Sequence, residues 1–597
     1  MSGKIVRIGG ASGFWGDSSV AAPQLVRRAQ VDYLTFDYLA EVTMAILARA
    51  RARKPELGYA TDFVDVAMAG VIKEVAARGI RVLTNAGGIN PRACAQALEQ
   101  LARREGVALK IAVVEGDDVA ALLAGMGGDA PPEMTSGAPL PAKIASANAY
   151  LGALPIAAAL AGGAQVVITG RCVDSALPLA ALIHEFGWRA DDYDRLAAGS
   201  LAGHILECGA QGSGGLHTDW ERVERWHDIG YPIAECGADG EFTITKPAGT
   251  GGLVTPAVVA EQMLYELGDP RAYVLPDVIC DFTAVTMRAD GPDRVRVRGA
   301  RGHAPTGHYK VSVTHMDGLR SVGTLVIIGI DAAAKAQRSA QAILARCAGI
   351  FAARGIAPFR ATHVEVLGAE SIYGPHARAA HAREVVMRLV VEHDDPRALE
   401  IFAREIAPSG TSWSPGTAGS IPSGRPPATP VVRLFSCLLP KEQVRPRVSI
   451  EGVDLPVSVP AGQPWAGAAA PELEPVAPHP PGGCVQVPLI RIAWARSGDK
   501  GDVANIGVIA RAPQFLPVLR AGLSAARVAE YFRHLVHGRV DRYELPGIGG
   551  FNFVMQEALG GGGTASMRID PLAKSMAQML LDLPIEVPIE LLAATHA

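Results

Sequence analysis

The 597-residue sequence lacks several motifs that identify common enzyme classes. It contains no GxxxxGK(S/T) phosphate loop, which excludes the common nucleoside triphosphatases, and no GxSxG elbow, which argues against a standard α/β-hydrolase. The eight cysteines form no CxxC pair and no short spacing typical of a zinc site. His303, His308 and His315 also fit no metal motif. We therefore expect reduced, mostly structural cysteines and no metal centre.

Strong charge and long apolar runs are missing as well. The net charge is −4 at pH 7, aromatic residues make up only 6% of the chain, and no basic stripe is interleaved with aromatics, which argues against nucleic-acid binding. The longest apolar stretch, LPIAAALAGGAQVVITG, is broken by glycines and divides into a helix and a strand. MSGKIVRIGG has no apolar targeting segment before the first strand. We expect a cytoplasmic protein that binds no membrane.

The N-terminal part of the chain alternates β-like runs with alanine-rich helical segments. This alternation is typical of βα units around a parallel sheet, and it predicts a Rossmann-like α/β domain over residues 1–270. A helix of that domain is predicted near TPAVVAEQMLYELG, capped by Thr255, begun by Pro256 and ended by Gly268. The five predicted parallel strands are KIVRIG, VDYLTF, GIRVLT, LKIAVV and QVVITG.

The rest of the chain predicts three further segments. Long β-like runs, DFTAVTMRADGPDRVRVRGARG and YKVSVTHMDGLRSVGTLVIIGI, together with a helix near 332–354 predict an α+β domain over residues 271–455. Residues 456–487 are rich in proline and alanine and read as a linker. Residues 488–597 begin with LIRIAWARSGDKGDVANIGVIAR, which predicts two strands joined by a polar turn in a small α+β domain.

Polar residues and glycines follow every predicted parallel strand. Ligands of open parallel sheets bind beyond the carboxyl ends of the strands, so these residues predict a ligand crevice. The alternative is that they only form turns and cap helices. The residues are Gly10, Gly13 and Asp17 after the first strand, Asp37 and Glu41 after the second, Asn85, Gly87, Gly88 and Asn90 after the third, Glu115, Asp117 and Asp118 after the fourth, and Arg171 and Asp174 after the fifth.

Four carboxylates in these loops are candidates for catalysis. Glu41 stands four residues after Asp37, so both can line one edge of the crevice and act as acid and base. The alternative is that one of them caps a helix while the other faces solvent. Asp174 and Asp17 likewise suit either catalysis or helix capping. The first loop has the spacing GxxGxxG rather than the dinucleotide pattern GxGxxG, although Asp37 follows about twenty residues later, where a ribose-binding acid would be expected, so the match to a dinucleotide site is only partial.

The C-terminal segment ARSGDKGDVANIG carries more polar groups than a turn between two strands needs. Gly498, Asp499 and Gly501 would suffice for the turn. The additional charged and hydrogen-bonding groups are of the kind offered to an anionic ligand or to another domain. These groups include Ser497, Lys500 and Asn505, and Asp499 is a further candidate for ligand binding.

The segments FDYLAEVTMAIL, TNAGGINP, NAYLGALPI, ITGRCVDSAL and ARSGDKGDVANIGV together resemble the acyclic terpene utilisation family typified by AtuA. The resemblance covers the chain to about residue 450 and, beyond the linker, a ferredoxin-like domain. One position departs from the family pattern, because Ser18 stands where an arginine is expected after Asp17. The expected anion contact therefore moves to Arg171.

The resemblance implies a catabolic protein of branched acyclic terpenoids that acts on a branched acyl-CoA thioester by lyase or hydratase chemistry. In that role Asp37 or Glu41 would move a proton, Asn85, Asn90 and Asn148 would orient the carbonyl, and Arg171 would bind phosphate or carboxylate. No cofactor besides the thioester substrate is implied. The competing hypothesis is a non-catalytic binding or assembly partner of an acyl-CoA carboxylase that docks through its C-terminal domain. Large enzymes of this kind are commonly homo-oligomers, and we expect the same here.

Overall fold

We describe the protein from a computed structural model, in which residues 3–468 and 483–593 are described. The predicted linker at 456–487 falls partly, over 469–482, outside the described residues. Residues 456–468 form neither helix nor strand, and Cys484–Pro488 forms a strand. Within the described residues, no helix is both long enough and apolar enough to cross a membrane.

The largest sheet has eleven strands, and its centre confirms the predicted parallel sheet. The five predicted strands lie side by side and parallel, in the order Ile5–Gly10, Tyr33–Phe36, Arg81–Thr84, Val166–Thr169 and Ile111–Glu115. Antiparallel strands extend both edges: Ile233–Gly237, Phe242–Thr245, Val295–Arg298 and Thr286–Ala289 on one side, and Arg447–Ile450 and Val453–Leu455 on the other. This sheet contains strands from both sides of residue 270. The boundary between the first two domains at residue 270 stays a prediction.

Both faces of the parallel strands are buried. Leu83 and Val167 pack into one apolar cluster, whereas their neighbours Val82 and Ile168 pack into another on the opposite face. Burial on two faces explains why these strands read as continuous apolar runs. The surrounding helices are Ala21–Arg28, Glu41–Arg53, Ala69–Arg78, Pro91–Glu105, Ala120–Met126, Leu154–Ala161, Ala176–Phe186, Tyr193–Leu206 and Pro256–Leu264, and a π-helical segment, Phe63–Met68, precedes the third of them.

The helix Pro256–Leu264 begins as predicted but ends early. The Thr255 side chain accepts a hydrogen bond from the backbone N–H of Val258, which confirms the predicted cap. The predicted end at Gly268 is wrong, because Tyr265 is extended and Glu266 adopts a left-handed φ of 57°. Both side chains pack against Gly498, where an added Cβ would lie 2.7 Å from Glu266 and 2.8 Å from Tyr265. Packing against the C-terminal region therefore overrides the local helix signal.

A second sheet is built on the 21-residue strand His308–Ile328. Helices Ala332–Arg354 and Pro396–Ile406 cover it, as the helical pattern near 332–354 predicted. The other predicted long run splits into short strands shared between two sheets: Ile279–Asp281 and Arg301–His303, which join Tyr273–Val274, and Thr286–Ala289 and Val295–Arg298, which join the large sheet. The remaining strands of the second sheet are Ile144–Ala149, Ala361–Leu367, Glu384–His393, Thr417–Gly419 and Thr429–Pro440, and the short helix Ser409–Ser412 lies between two of them.

The C-terminal region forms a four-stranded antiparallel sheet with helices packed on it. Its first two strands, Ala493–Lys500 and Val503–Ala510, confirm the predicted strand pair. The predicted polar turn is shorter than expected, because Gly498 and Asp499 belong to the first strand. The other elements are strands Val540–Leu545 and Gly550–Met555, helices Leu516–Gly522, Ala525–Tyr531 and Met576–Leu580, the paired strands Cys484–Pro488 and Pro584–Pro588, and helix Ile589–Ala593.

Candidate functional site

A cavity of about 770 Å³ lies where the carboxyl ends of the parallel strands meet the second sheet and the C-terminal region. This volume is within the range of small-molecule sites. The strand ends contribute Gly13, Asp37, Glu41, Arg171 and Asp174, the helix-to-loop segment after Leu206 contributes Glu207 and Cys208, the second sheet contributes Arg320 and Arg388, and the C-terminal region contributes Asp499, Lys500, Arg568 and Lys574.

Asp37 is buried at the end of the second parallel strand. Its Oδ1 accepts a hydrogen bond from Asn85 Nδ2 at 2.6 Å and another from the backbone N–H of Leu39 at 3.2 Å. Burial raises the pKa of Asp37 well above its ordinary value, and the charge of Asp174 adds to that rise. No described residue donates to Asp37 Oδ2. This oxygen can therefore carry a proton and donate it to a ligand.

Arg171 is buried beside Asp37 and is paired with Asp174. Its Nη1 donates to Asp174 Oδ1 at 2.6 Å, and its guanidinium lies 4.2 Å from the centre of the Tyr150 ring. The backbone N–H of Arg171 donates to Asp117 Oδ2 at 2.8 Å, and Asn148 Nδ2 donates to the same oxygen at 2.8 Å. These contacts fix the loop after the fifth parallel strand and leave the Arg171–Asp174 pair without net charge.

The pKa of Glu41 is shifted in the opposite direction from that of Asp37. The Tyr150 hydroxyl donates to Glu41 Oε1 at 2.6 Å, and Lys310 Nζ lies 4.0 Å from the same oxygen. Burial alone would favour the neutral acid, but the charges of Lys310, Lys500 and Arg171 outweigh it and bring the pKa of Glu41 to about 2. Two carboxyl groups of one cavity thus have pKa values shifted in opposite directions, which is a common property of acid–base active sites.

The C-terminal region adds a cluster of two lysines and two carboxylates. Lys500 Nζ donates to Glu266 Oε2 at 2.7 Å, and Lys574 Nζ lies 3.6 Å from Glu266 Oε1 and 3.5 Å from Asp499 Oδ1. Burial, together with the charge of Glu266, raises the pKa of Asp499 to about 7. When Asp499 is protonated, the two ammonium groups face a single carboxylate, so the cluster carries a surplus positive charge.

Comparison with family models decides the identity of the chain. The model of the acyclic terpene utilisation family protein AtuA matches residues 6–450. The chain belongs to the acyclic terpene utilisation family AtuA. A model of the AtuA ferredoxin-like domain matches residues 487–586, which confirms the predicted ferredoxin-like C-terminal domain. No curated protein and no solved structure matched the chain.

Membership of the AtuA family implies involvement in acyclic terpene utilisation. Seven of the residues predicted for the site line the cavity of this family member. Five of the seven follow parallel strands, and two belong to the C-terminal region. The seven are Gly13, Asp37, Glu41, Arg171, Asp174, Asp499 and Lys500.

Other predicted residues of the AtuA-family chain hold the surrounding loops rather than line the cavity. Asp17 Oδ2 accepts from the backbone N–H of Gly13 at 2.8 Å. Asn90 Nδ2 donates to two carbonyl groups of residues 55–57, both at 2.9 Å. Ser497 Oγ donates to the carbonyl of Ala573 at 2.6 Å, and Asn505 Nδ2 donates to that of Leu264 at 2.7 Å. Asn85 acts one step from the cavity, through its hydrogen bond to Asp37, whereas Asn148 acts two steps away, through Asp117 and the backbone of Arg171.

The SGDKGD stretch contacts its own chain. Asp502 Oδ1 accepts from the backbone N–H groups of Leu559 and Gly561, both at 2.9 Å, and Lys500 is paired with Glu266. Lys500 therefore lies at the junction between the ferredoxin-like domain and the rest of the chain, whereas Asp502 is bound within that domain.

The first glycine loop makes room for another segment of the chain. A Cβ on Gly10 would lie 2.6 Å from the carbonyl oxygen of Leu206, and a Cβ on Gly13 would lie 2.6 Å from the carbonyl carbon of Cys208. These glycines let residues 206–208 approach the first strand, and Glu207 reaches the cavity as a result. In the third loop, Gly87 serves the same purpose against the Thr169 carbonyl at 2.5 Å, and Gly88 adopts a left-handed φ of 54°.

Gly10→Ala should lower the free energy of unfolding by about 1–3 kcal/mol, because the added methyl group meets backbone that cannot rotate away. Chemical denaturation measured by circular dichroism tests this expectation. Gly125→Ala is the matched control, since Gly125 lies in the helix Ala120–Met126 and an added Cβ there has nothing within 4 Å. An equal response of the two variants would contradict the close approach at Gly10.

Several lining or adjoining residues carry no signal in the sequence. Tyr150 lies in the NAYLGALPI segment, but nothing local indicates that its hydroxyl binds Glu41. Lys310 lies on the long strand of the second sheet, and Lys574 lies just before the helix Met576–Leu580. Each meets the strand-end loops only through tertiary packing, and for that reason local patterns did not identify them.

Proposed function

We propose that this AtuA-family protein is an enzyme of acyclic terpenoid degradation that acts on a branched acyl-CoA thioester by hydratase or lyase chemistry. The observation that carries the proposal is that two carboxyl groups of one cavity have pKa values shifted in opposite directions: burial raises the pKa of Asp37, and nearby cations lower that of Glu41 to about 2. Both reaction types create negative charge on the thioester carbonyl oxygen as the bonds at the neighbouring carbons change. A cavity suited to hydratase or lyase chemistry therefore needs a neutral hydrogen-bond donor near the thioester carbonyl oxygen.

Asp37 is the donor in this proposal. Its Oδ1 is already occupied by Asn85 and Leu39, so the proton of the neutral acid is left for Oδ2. A donor fixed in a buried position stabilises a developing oxyanion without reorganising at the moment of reaction. The Asp37 carboxyl would hold the thioester carbonyl in this way, while the ionised Glu41 remains close to its lysine and tyrosine partners.

The charges around the cavity support a ligand with an anionic group near the lysines. Asp174 balances Arg171, and Glu41 lies opposite Lys310. The cluster of Lys500, Lys574, Glu266 and Asp499 is left with a positive surplus when Asp499 is protonated. A carboxylate or phosphate of the substrate would satisfy that surplus, and the reacting carbonyl would then lie nearer Asp37.

Purified protein incubated with branched enoyl-CoA and branched 3-hydroxyacyl-CoA esters tests the proposal. Interconversion of the two classes, followed by chromatography and mass spectrometry, would identify a hydratase. A shortened acyl-CoA together with a released carbonyl fragment would identify a carbon–carbon lyase. Absence of turnover with every such ester would contradict the proposed function.

The affinity for the thioester should depend on pH through Asp499. Its pKa of about 7 means that it loses its negative charge as the pH falls from 8 to 6, while Lys500 keeps its positive charge. An anionic ligand should therefore bind about tenfold more tightly at pH 6, which corresponds to about 1.4 kcal/mol. Calorimetric titration of the wild type and of Asp499→Asn measures the effect. The variant corrects for titration of the ligand itself, and an equal pH dependence of the two proteins would exclude Asp499 as the cause.

A further inference from the structure

A buried histidine and glutamate form a pair at the wall of the same cavity. His204 lies near the end of the helix Tyr193–Leu206, and Glu207 follows that helix directly. His204 Nδ1 lies 3.0 Å from Glu207 Oε1, and His204 Nε2 lies 3.1 Å from the carbonyl oxygen of Met263. The side chains are 1% and 7% exposed, so water does not substitute for these contacts.

The contacts fix where the protons of the pair lie. A carbonyl oxygen only accepts hydrogen bonds, so His204 Nε2 must carry a hydrogen and donate it to Met263. The short contact between His204 Nδ1 and Glu207 Oε1 then needs one proton between two atoms that would otherwise both be acceptors. That proton resides on either atom, as imidazolium with carboxylate or as imidazole with carboxylic acid. In both forms the pair is neutral and Glu207 Oε2 carries no hydrogen.

Glu207 Oε2 is an unused acceptor. It is buried, and among the described residues none donates a hydrogen bond to it. Glu207 lines the cavity, as do Asp37 and Asp174. An unsatisfied buried carboxylate oxygen costs free energy unless a ligand supplies the missing donor. The close approach of residues 206–208 to Gly10 and Gly13 holds the backbone of this residue against the first strand.

We propose that Glu207 is the base that takes a proton from the substrate at Oε2, and that His204 is its positioning residue. This inference rests on the proposed function and assigns the second half of its acid–base chemistry. The C–H bond next to the thioester carbonyl breaks, and its proton moves to Glu207 Oε2. The electron pair stays on the substrate as an enolate, whose oxygen accepts the hydrogen bond of the neutral Asp37. The Glu207–His204 pair gains one positive charge, and the reverse transfer restores it.

The alternative base, Glu41, is less suited to this step. Lys310, Lys500 and Arg171 stabilise its ionised form strongly, so it has little tendency to take up a proton. Burial raises the pKa of Glu207, whereas the charge of His204 lowers it. Asp174 acts in the same direction as burial, and Lys500 acts with His204. A carboxylate with a raised pKa is the stronger proton acceptor of the two.

Exchange of hydrogen for deuterium isolates the proton transfer from the rest of the reaction. The probe is 3-methylbutanoyl-CoA, a saturated branched thioester that can exchange the hydrogens beside its carbonyl but can be neither hydrated nor cleaved. Proton NMR in D₂O follows the loss of that signal. Wild type should exchange it, and Glu207→Gln should slow exchange by about 10²–10⁴-fold. Glu56→Gln, at an exposed position, should exchange at the wild-type rate.

A positioning role of His204 predicts a shift that a purely structural role would not produce. Removing its charge in His204→Gln should raise the pKa of Glu207, so the rise of the exchange rate with pH should move to higher pH. Thermal unfolding of each variant establishes that it is folded, and Glu207→Asp, which withdraws the carboxylate by one methylene group, provides a second test of the same position. It should also exchange slowly.

The outcomes separate this inference from the proposed function. If wild type exchanges the probe and folded Glu207→Gln exchanges it at the wild-type rate, or if wild type turns over branched thioesters without exchanging the probe, the assignment of Glu207 is overturned and the proposed function stands. If wild type neither exchanges the probe nor turns over any branched acyl-CoA, both are overturned. An unshifted pH profile in His204→Gln overturns the positioning role alone.

Discussion

Asp37→Asn should lower kcat/KM for a branched acyl-CoA substrate by about 10²–10⁴-fold, the contribution typical of a positioned acid. Asparagine keeps an oxygen that can accept the hydrogen bonds from Asn85 and Leu39, and it presents an amide where the carboxylic acid was. The amide still donates a hydrogen bond but is a far weaker acid. The effect should therefore appear in kcat more than in KM, in steady-state assays at pH 7.

The fold should tolerate this substitution. Because burial raises the pKa of Asp37 and none of the ion pairs among the described residues includes it, an isosteric neutral amide removes no buried charge pair. The control is Asp65→Asn, a change of the same chemistry at an exposed position on the π-helical segment. An Asp37→Asn protein with wild-type kcat/KM would remove Asp37 from the reaction.

The double substitution Lys500→Met and Lys574→Met should weaken binding of the acyl-CoA by about 10²–10⁴-fold. A hydrogen bond to a charged group contributes about 1.5–3 kcal/mol, and both ammonium groups are available to one anionic group of the ligand. Loss of the lysines also leaves Glu266 and Asp499 as uncompensated negative charges that repel the ligand. Isothermal titration calorimetry measures the change in Kd.

Two further proteins separate lost recognition from lost folding. Adding Glu266→Gln to the double variant removes the unpaired carboxylate and should restore the melting temperature without restoring the affinity. Lys54→Met, at an exposed position outside the cavity, should leave Kd unchanged. A Kd within about threefold of wild type in the folded double variant would exclude the lysine cluster as an anion site.

The strand-end loops were predictable because a parallel sheet brings its carboxyl ends together whatever the rest of the fold does. Asp37, Glu41, Arg171 and Asp174 could be assigned to one crevice on that ground, and the structure places all four at one cavity. The opposite pKa shifts of Asp37 and Glu41 were not predictable, since they depend on burial and on Lys310. A pattern within one segment contains neither quantity.

The Glu207–His204 pair illustrates the same limit. Its position depends on how residues 206–208 pack against Gly10 and Gly13, and the glycines alone were equally compatible with a bound ligand. The end of the helix at Leu264 was missed for a related reason, because Gly498 lies more than two hundred residues away in the sequence and its contacts with Tyr265 and Glu266 decide the local backbone. Long-range packing of this kind leaves no periodic trace in the sequence.

The walls of the cavity come from positions as distant in the chain as Gly13 and Lys574. A ligand that contacts both residues can bind only the folded protein. Its binding therefore increases the thermal stability of the whole molecule. At a concentration of one hundred times Kd, such a ligand adds about 2.7 kcal/mol to that stability. Candidate thioesters can therefore be ranked by differential scanning fluorimetry alone, and the natural substrate can be sought before any assay of its conversion exists.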